Sequence, residues 1–196
     1  MSAGITRRGV LAGAAALPWL VACGGGTDRP AGVDLLEGTF SSRFWPDREV
    51  RWRLARPAHQ GTAATPQPLV VALHGYGGDA DWPFNATHIQ RHVESTGLAV
   101  ASVDGGDFYW HARRSGIDTG RMVSEDLLPL LRSKGLATDR IGLIGWSMGG
   151  YGALLMAARL GPPRVAGRSE ERRVGEGGRV RWSTSHYNQH TNAYQC

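Results

Sequence analysis

"GLIGWSMGGYGALLMAARL", Gly142 to Leu160, is the stretch on which the fold turns. An apolar run, Ile141 to Ile144, leads into Gly145-Trp146-Ser147-Met148-Gly149, and a helix is expected from there to Leu160, stopped by Gly161-Pro162-Pro163. Gly-x-Ser-x-Gly between a strand and a helix marks a sharp turn that exposes a serine hydroxyl above a sheet. Glycines flank Ser147 because such a turn leaves no room for side chains, and the serine backbone is strained. A helix opening at Met148 aims its positive end at a developing oxyanion, which makes the Met148 amide one candidate donor. Ser147 is therefore the candidate nucleophile. It needs an acid and a base, which in this pattern's usual chain order follow the serine.

Upstream, Leu69–Leu73 and Leu98–Val103 are two more apolar runs that end in glycine-bearing turns without polar alternation, as parallel strands buried on both faces do. Two helices are expected between the runs. Asn85 caps the first, reaching about Thr96 with Ile89 and Val93 four apart. The second covers Gly120 to Lys134, with Val123, Leu127, Leu130 and Leu131 on one face and Pro129 kinking or shortening it. The order β-α-β-α-β-α implies a parallel sheet. Ahead of it, Gly38–Trp45 and Arg48–Pro57 read as an antiparallel edge hairpin. In "LVVALHGYGGD" a buried strand runs into His74-Gly75-Tyr76-Gly77-Gly78. This loop offers the second oxyanion donor, the Tyr76 amide, with Gly75 as the alternative. His74 directly abuts the strand and is read as a structural hydrogen-bonding residue, not as the base. His88 and His92 are four apart with no third ligand evident, so no metal site is expected. No Walker or dinucleotide fingerprint occurs, so no cofactor is expected.

Together, "LHGYGGD", "SVDGGDFYWHARRSGIDTGRMVSEDLLPLL" and "RIGLIGWSMGGYGALLMA" resemble the α/β-hydrolase superfamily, and most closely the bacterial secreted esterases of the esterase D and antigen 85 group. The resemblance covers roughly Leu69 to Leu160. It implies a mostly parallel sheet with helices on both faces and hydrolysis of small-molecule or lipid esters through an acyl-enzyme, with a cell-envelope acyltransferase as the alternative. It also implies that the loop from Asp104 to Gly116 lies near the active-site mouth, with Asp104, Trp110, His111 and Trp146 as pocket residues.

The chain has 196 residues, 41% of them hydrophobic, enough for one domain with a real core. Its net charge of +5 is divided among Arg7 and Arg8, the stretch from Arg168 onward, and a nearly balanced body, so no basic patch points to nucleic acid. Residues 1–23 read as an export signal: Arg7 and Arg8 precede a short apolar stretch, and Leu20-Val21-Ala22-Cys23 resembles a lipobox in which Cys23 is lipidated. Residues 24–34 read as a flexible tether, 35–167 as the N-terminal part of the hydrolase domain, and the whole as an exported chain lipid-anchored to the cell membrane. With Cys23 lipidated and Cys196 at the far end, no structural disulfide is expected. After Gly167 no strand or useful amphipathic helix can be read. "RSEERRVG", Arg168 to Gly175, resembles a translated sequencing adapter, and residues 168–196 are read as a non-native disordered tail. His186 and His190 follow Ser147, but a base needs a rigid position and they sit in this tail. On this reading the acid, the base and the later strands of the fold lie outside the chain, leaving it a nearly inactive fragment.

Overall fold

The computed structural model describes residues 30–58 and 65–171. Six strands form one sheet: β1 Val33–Ser42, β2 Trp45–Pro57, β3 Gln67–Leu73, β4 Ala99–Val103, β5 Leu136–Trp146 and β6 Val165–Glu171. Their order is β1-β2-β4-β3-β5-β6. β1 and β2 form the expected hairpin; β2 is also antiparallel to β4, while β4, β3, β5 and β6 run parallel to their neighbours.

Side chains alternate across a strand, so each strand feeds two cores. Leu69, Val71 and Leu73 of β3 join Trp52, Leu54, Leu143 and the helices that follow β4 and β5. Val70 and Ala72 face the other way, toward Ala55, Val100, Phe84 and Val93. Helices on both faces explain why these strands read as continuous apolar runs. The hairpin is tied to this second layer by Asp81, which accepts from Arg51 Nη2 at 2.6 Å and Arg53 Nη1 at 2.9 Å. Burial pushes the Asp81 carboxyl up, but the two guanidiniums outweigh it and hold it below the usual carboxylate range.

Four expectations need correction. The helix from Asn85 to Thr96 is broken: α1 is Trp82–Thr87, His88 turns left-handed at φ 51°, a 3₁₀ turn covers Ile89–His92, and α2 is Val93–Thr96. Asp81 occupies the N-cap and Pro83 the first turn, so Asn85 lies inside α1. His88 and His92 accordingly do not share a helix face. The second helix is continuous but not uniform. α3 (Thr119–Met122) passes through a π turn at Val123–Leu127 into α4 (Leu128–Ser133). The wide turn just ahead of Pro129 accommodates a ring that has no N–H to donate and crowds the preceding turn. Finally, the sheet does not end at Gly167. α5, Met148–Leu160, leads through Pro162–Arg164 to β6, which continues to Glu171 in parallel register with β5. Within the stretch 24–34 expected as a tether, Val33 is already a buried strand residue.

Candidate active site

β5 and α5 meet at Ser147, whose backbone sits at φ 53° and ψ −112°. An L residue held there costs about 1–3 kcal/mol and persists only where its surroundings impose it. The surroundings are visible. A Cβ on Gly145 would overlap the Gly149 carbonyl, and one on Gly149 would overlap the Leu73 carbonyl of β3. The two glycines thus let α5 reverse direction within two residues and pack directly on β3. Met148 is buried beneath the turn and Ser147 is exposed above it. The first amides of α5 have no intrahelical acceptor and point back past Ser147.

β3 pairs with β5 (Leu73↔Gly145), so the loop after β3 lies beside the serine. A Cβ built on Gly75 would be 3.1 Å from the Trp146 carbonyl oxygen and 3.7 Å from Ser147 Cβ. The Gly75 carbonyl accepts from Gly78 N–H at 3.1 Å and lies 2.7 Å from His74 Nδ1. Gly105 N–H donates to His74 Nε2 at 2.9 Å. Since Nε2 is an acceptor there, Nδ1 carries the proton and donates to Gly75, which makes the ring neutral. Burial lowers the His74 pKa, against the Gly75 hydrogen bond and the pull of Asp104, Asp79 and Asp107. Both nitrogens being committed to backbone, His74 does not reach Ser147. Tyr76 is 69% exposed, and its amide makes no hydrogen bond among the described residues.

The pocket expectations fare differently. Trp110 is fully buried and lines no mouth. A Cβ on Gly105 or Gly152 would run into its indole, one on Gly120 would meet its carbonyl, and His74 packs edge-on at 5.0 Å. Asp104 is likewise buried; it accepts from Ala80 N–H at 2.8 Å and faces Arg48 at 3.4 Å, which makes it a loop tie. Trp146 is half-buried against Trp82, with ring centroids 5.3 Å apart, and packs with the core on the α1–α2 face. His111 remains at the surface, its ring 6.1 Å from that of Tyr151. The sequence reading missed Tyr109 and Tyr151, both exposed and 6.1 Å apart. Tyr151 follows Ser147 by one helical turn, its N–H on the Ser147 carbonyl at 3.2 Å. The four-residue spacing was the available signal. Tyr109 and Trp110 each have φ 57°, a reversal that sends the indole inward and the phenol out.

Among the described residues no carboxylate or imidazole hydrogen-bonds Ser147, and no group of three His, Cys, Asp or Glu could hold a metal ion. Cys23, His186 and His190 lie outside the described residues, as does the tail after Glu171.

The sequence matches no protein-family model and no curated protein. Solved structures do resemble it. A fluorophosphonate-binding serine hydrolase of Staphylococcus aureus aligns with TM-score 0.63 and 20% identity over 69% of this chain and 55% of its own. An S-formylglutathione hydrolase from Agrobacterium tumefaciens gives 0.62 and 22% identity over 71% and 57%. A ferulic acid esterase gives 0.58 and 17% over 69% and 56%. At these identities the likeness establishes the fold, a mostly parallel sheet with helices on both faces of the α/β-hydrolase type. The chain spans little more than half the length of these structures.

Proposed function

We propose that Ser147 is the nucleophile of a serine esterase. The observation that carries this reading is the strained Ser147 backbone, held between two glycines that tolerate no side chain and beside the loop after β3; the Tyr76 and Met148 amides are the oxyanion donors of this reading. Ser147 Oγ attacks the ester carbonyl carbon and gives its proton to a base. The two amides hold the oxyanion, the alcohol leaves with a proton, and water hydrolyses the acyl-serine. The resemblance to a fluorophosphonate-binding hydrolase suggests the probe. Ser147 Oγ attacks the phosphorus of an alkyl fluorophosphonate, fluoride leaves, and the phosphoryl oxygen takes the oxyanion position.

No described residue serves Ser147 as a base, so we infer that these 196 residues turn over esters poorly and that external imidazole accelerates phosphonylation. Removing the base from a triad leaves only what the oxyanion hole and binding provide, about 10³–10⁴ over water. Peptide mapping of the labelled chain is expected to find the phosphonate on Ser147, with imidazole raising the rate and Ser147→Ala abolishing it. Labelling elsewhere, or an unchanged rate in Ser147→Ala, contradicts the reading. Should His186 or His190 act as the base, imidazole will not help and their alanine variants will slow the reaction. Adding glycerol to a p-nitrophenyl acetate assay separates hydrolysis from acyl transfer, since a transferase forms the glyceryl ester.

From Arg7-Arg8 and the lipobox-like Leu20-Val21-Ala22-Cys23 we further propose that the chain is exported and held at the membrane by a lipid on Cys23. Cys23→Ala is then expected to move the protein from the membrane fraction to the soluble one; an unchanged distribution argues against the anchor.

A further inference from the structure

The end of β4 and the loop after it hold the loop after β3 at a series of points. Ser102 Oγ donates to the Ala80 carbonyl, and Asp104 Oδ1 accepts from Ala80 N–H at 2.8 Å. Gly105 N–H donates to His74 Nε2 at 2.9 Å, and Asp107 Oδ1 accepts from Gly77 N–H at 2.6 Å. The first three are buried, whereas the last is exposed and is made by a side chain packed into no core.

The two peptide planes flanking Tyr76 are fixed by these contacts. On one side, the Gly75 carbonyl is held by His74 Nδ1–H and Gly78 N–H. In a trans peptide the next N–H points opposite to the carbonyl, so this bonding sets the aim of the Tyr76 amide. On the other side, the Gly77 N–H is held by Asp107. Gly77 has φ 73° and nothing within 4 Å of a Cβ position, so no packing fixes it there. Without the carboxylate, the Tyr76–Gly77 plane is restrained only by the loop's own turn.

We propose that Asp107 is a positioning residue of the oxyanion hole: its carboxylate, accepting from Gly77, fixes the outer side of Tyr76 and so keeps the loop in the conformation in which the Gly75 carbonyl bonds aim the Tyr76 N–H. The proposal rests on the reading of Ser147 as nucleophile and Tyr76 as donor. Asp107 touches no substrate atom and acts through the loop. The carboxylate supplies an acceptor oxygen 2.6 Å from the Gly77 nitrogen, and that acceptor is what restrains the loop.

The test is fluorophosphonate labelling of the full chain in imidazole, resolved into the maximal rate and the half-saturating concentration. Asp107→Ala is expected to lower the maximal rate about tenfold, as small misplacements of a catalytic group do, with half-saturation unchanged. Asp107→Asn keeps an acceptor oxygen and is expected to restore most of that loss. Asp139→Ala, which removes a surface carboxylate paired with Arg132 far along the chain, is expected to change nothing. In amide hydrogen exchange, Asp107→Ala is expected to speed Gly77, whose N–H loses its acceptor, while leaving the β3 and β5 amides alone. An unchanged maximal rate or unchanged exchange in Asp107→Ala overturns the proposal. Equal losses in the alanine and asparagine variants also overturn it, assigning the effect to charge. A wild-type chain that does not label at Ser147 overturns the nucleophile reading, and this proposal with it.

Discussion

At the scale of single residues, His74 has the most to lose on acidification. In the fold its ring is neutral, with Nε2 accepting from Gly105 and Nδ1 donating to Gly75. Burial depresses its pKa below the unfolded value of about 6.5, so the unfolded chain binds the extra proton more readily. The resulting stability is present above pH about 6.5 and is lost as pH falls toward the folded pKa. Tm is therefore expected to fall between pH 7.5 and 5, before the carboxylates titrate, and a His74→Asn variant should show a flatter profile over that range. A wild-type profile already flat from 7.5 to 5 contradicts the neutral, bonded ring. Protonating Nε2 also breaks the bond to Gly105 and loosens the loop that carries Tyr76. A structural role for His74 was legible from its place directly after an apolar strand. The Asp107–Gly77 hydrogen bond was not, because the two residues lie thirty apart and local sequence holds no trace of that pairing.

Among the elements, the β5–Ser147–α5 turn was read almost completely from its sequence, since its constraints are local. Gly145 and Gly149 are demanded by backbone contacts within one strand, one turn and the neighbouring β3. Gly149→Ala is accordingly expected to destabilise the fold by about 3 kcal/mol, a forced overlap with a strand carbonyl that cannot move aside. Urea unfolding checks this; a loss below about 1 kcal/mol would show that α5 can shift off β3. The helical segments were read less well. Ile89 and Val93 carry a helical spacing, yet His88 interrupts the chain with a left-handed turn that no spacing rule reveals. Trp110 shows the same limit. A tryptophan in a loop near the expected mouth was assigned to a pocket, whereas three glycines from separate segments form a socket for it in the core. Trp110→Ala is expected to cost about 3–5 kcal/mol and to leave the site loops unsupported, which thermal melting measures directly.

For the molecule as a whole, the parallel sheet followed from three unalternating apolar runs and the hairpin from its composition, whereas the spatial strand order, with β4 between β2 and β3, is set by pairings between distant segments. β6 did not follow either, because the residues Arg168 to Glu171 have none of the apolar character of the other parallel strands; its backbone pairs with β5 all the same. The described sheet matches serine hydrolases and esterases that are nearly twice as long as the matched region. Among the described residues Ser147 stands at the strained turn beside the loop after β3, with no carboxylate or imidazole hydrogen-bonded to it. The most direct test of the central claim is the rate of fluorophosphonate labelling at Ser147, measured with and without imidazole in the intact chain. The expected result is a single phosphonate on Ser147, formed faster with imidazole and absent in Ser147→Ala. A chain that stays unlabelled under both conditions, or labels equally well without Ser147, would contradict the assignment.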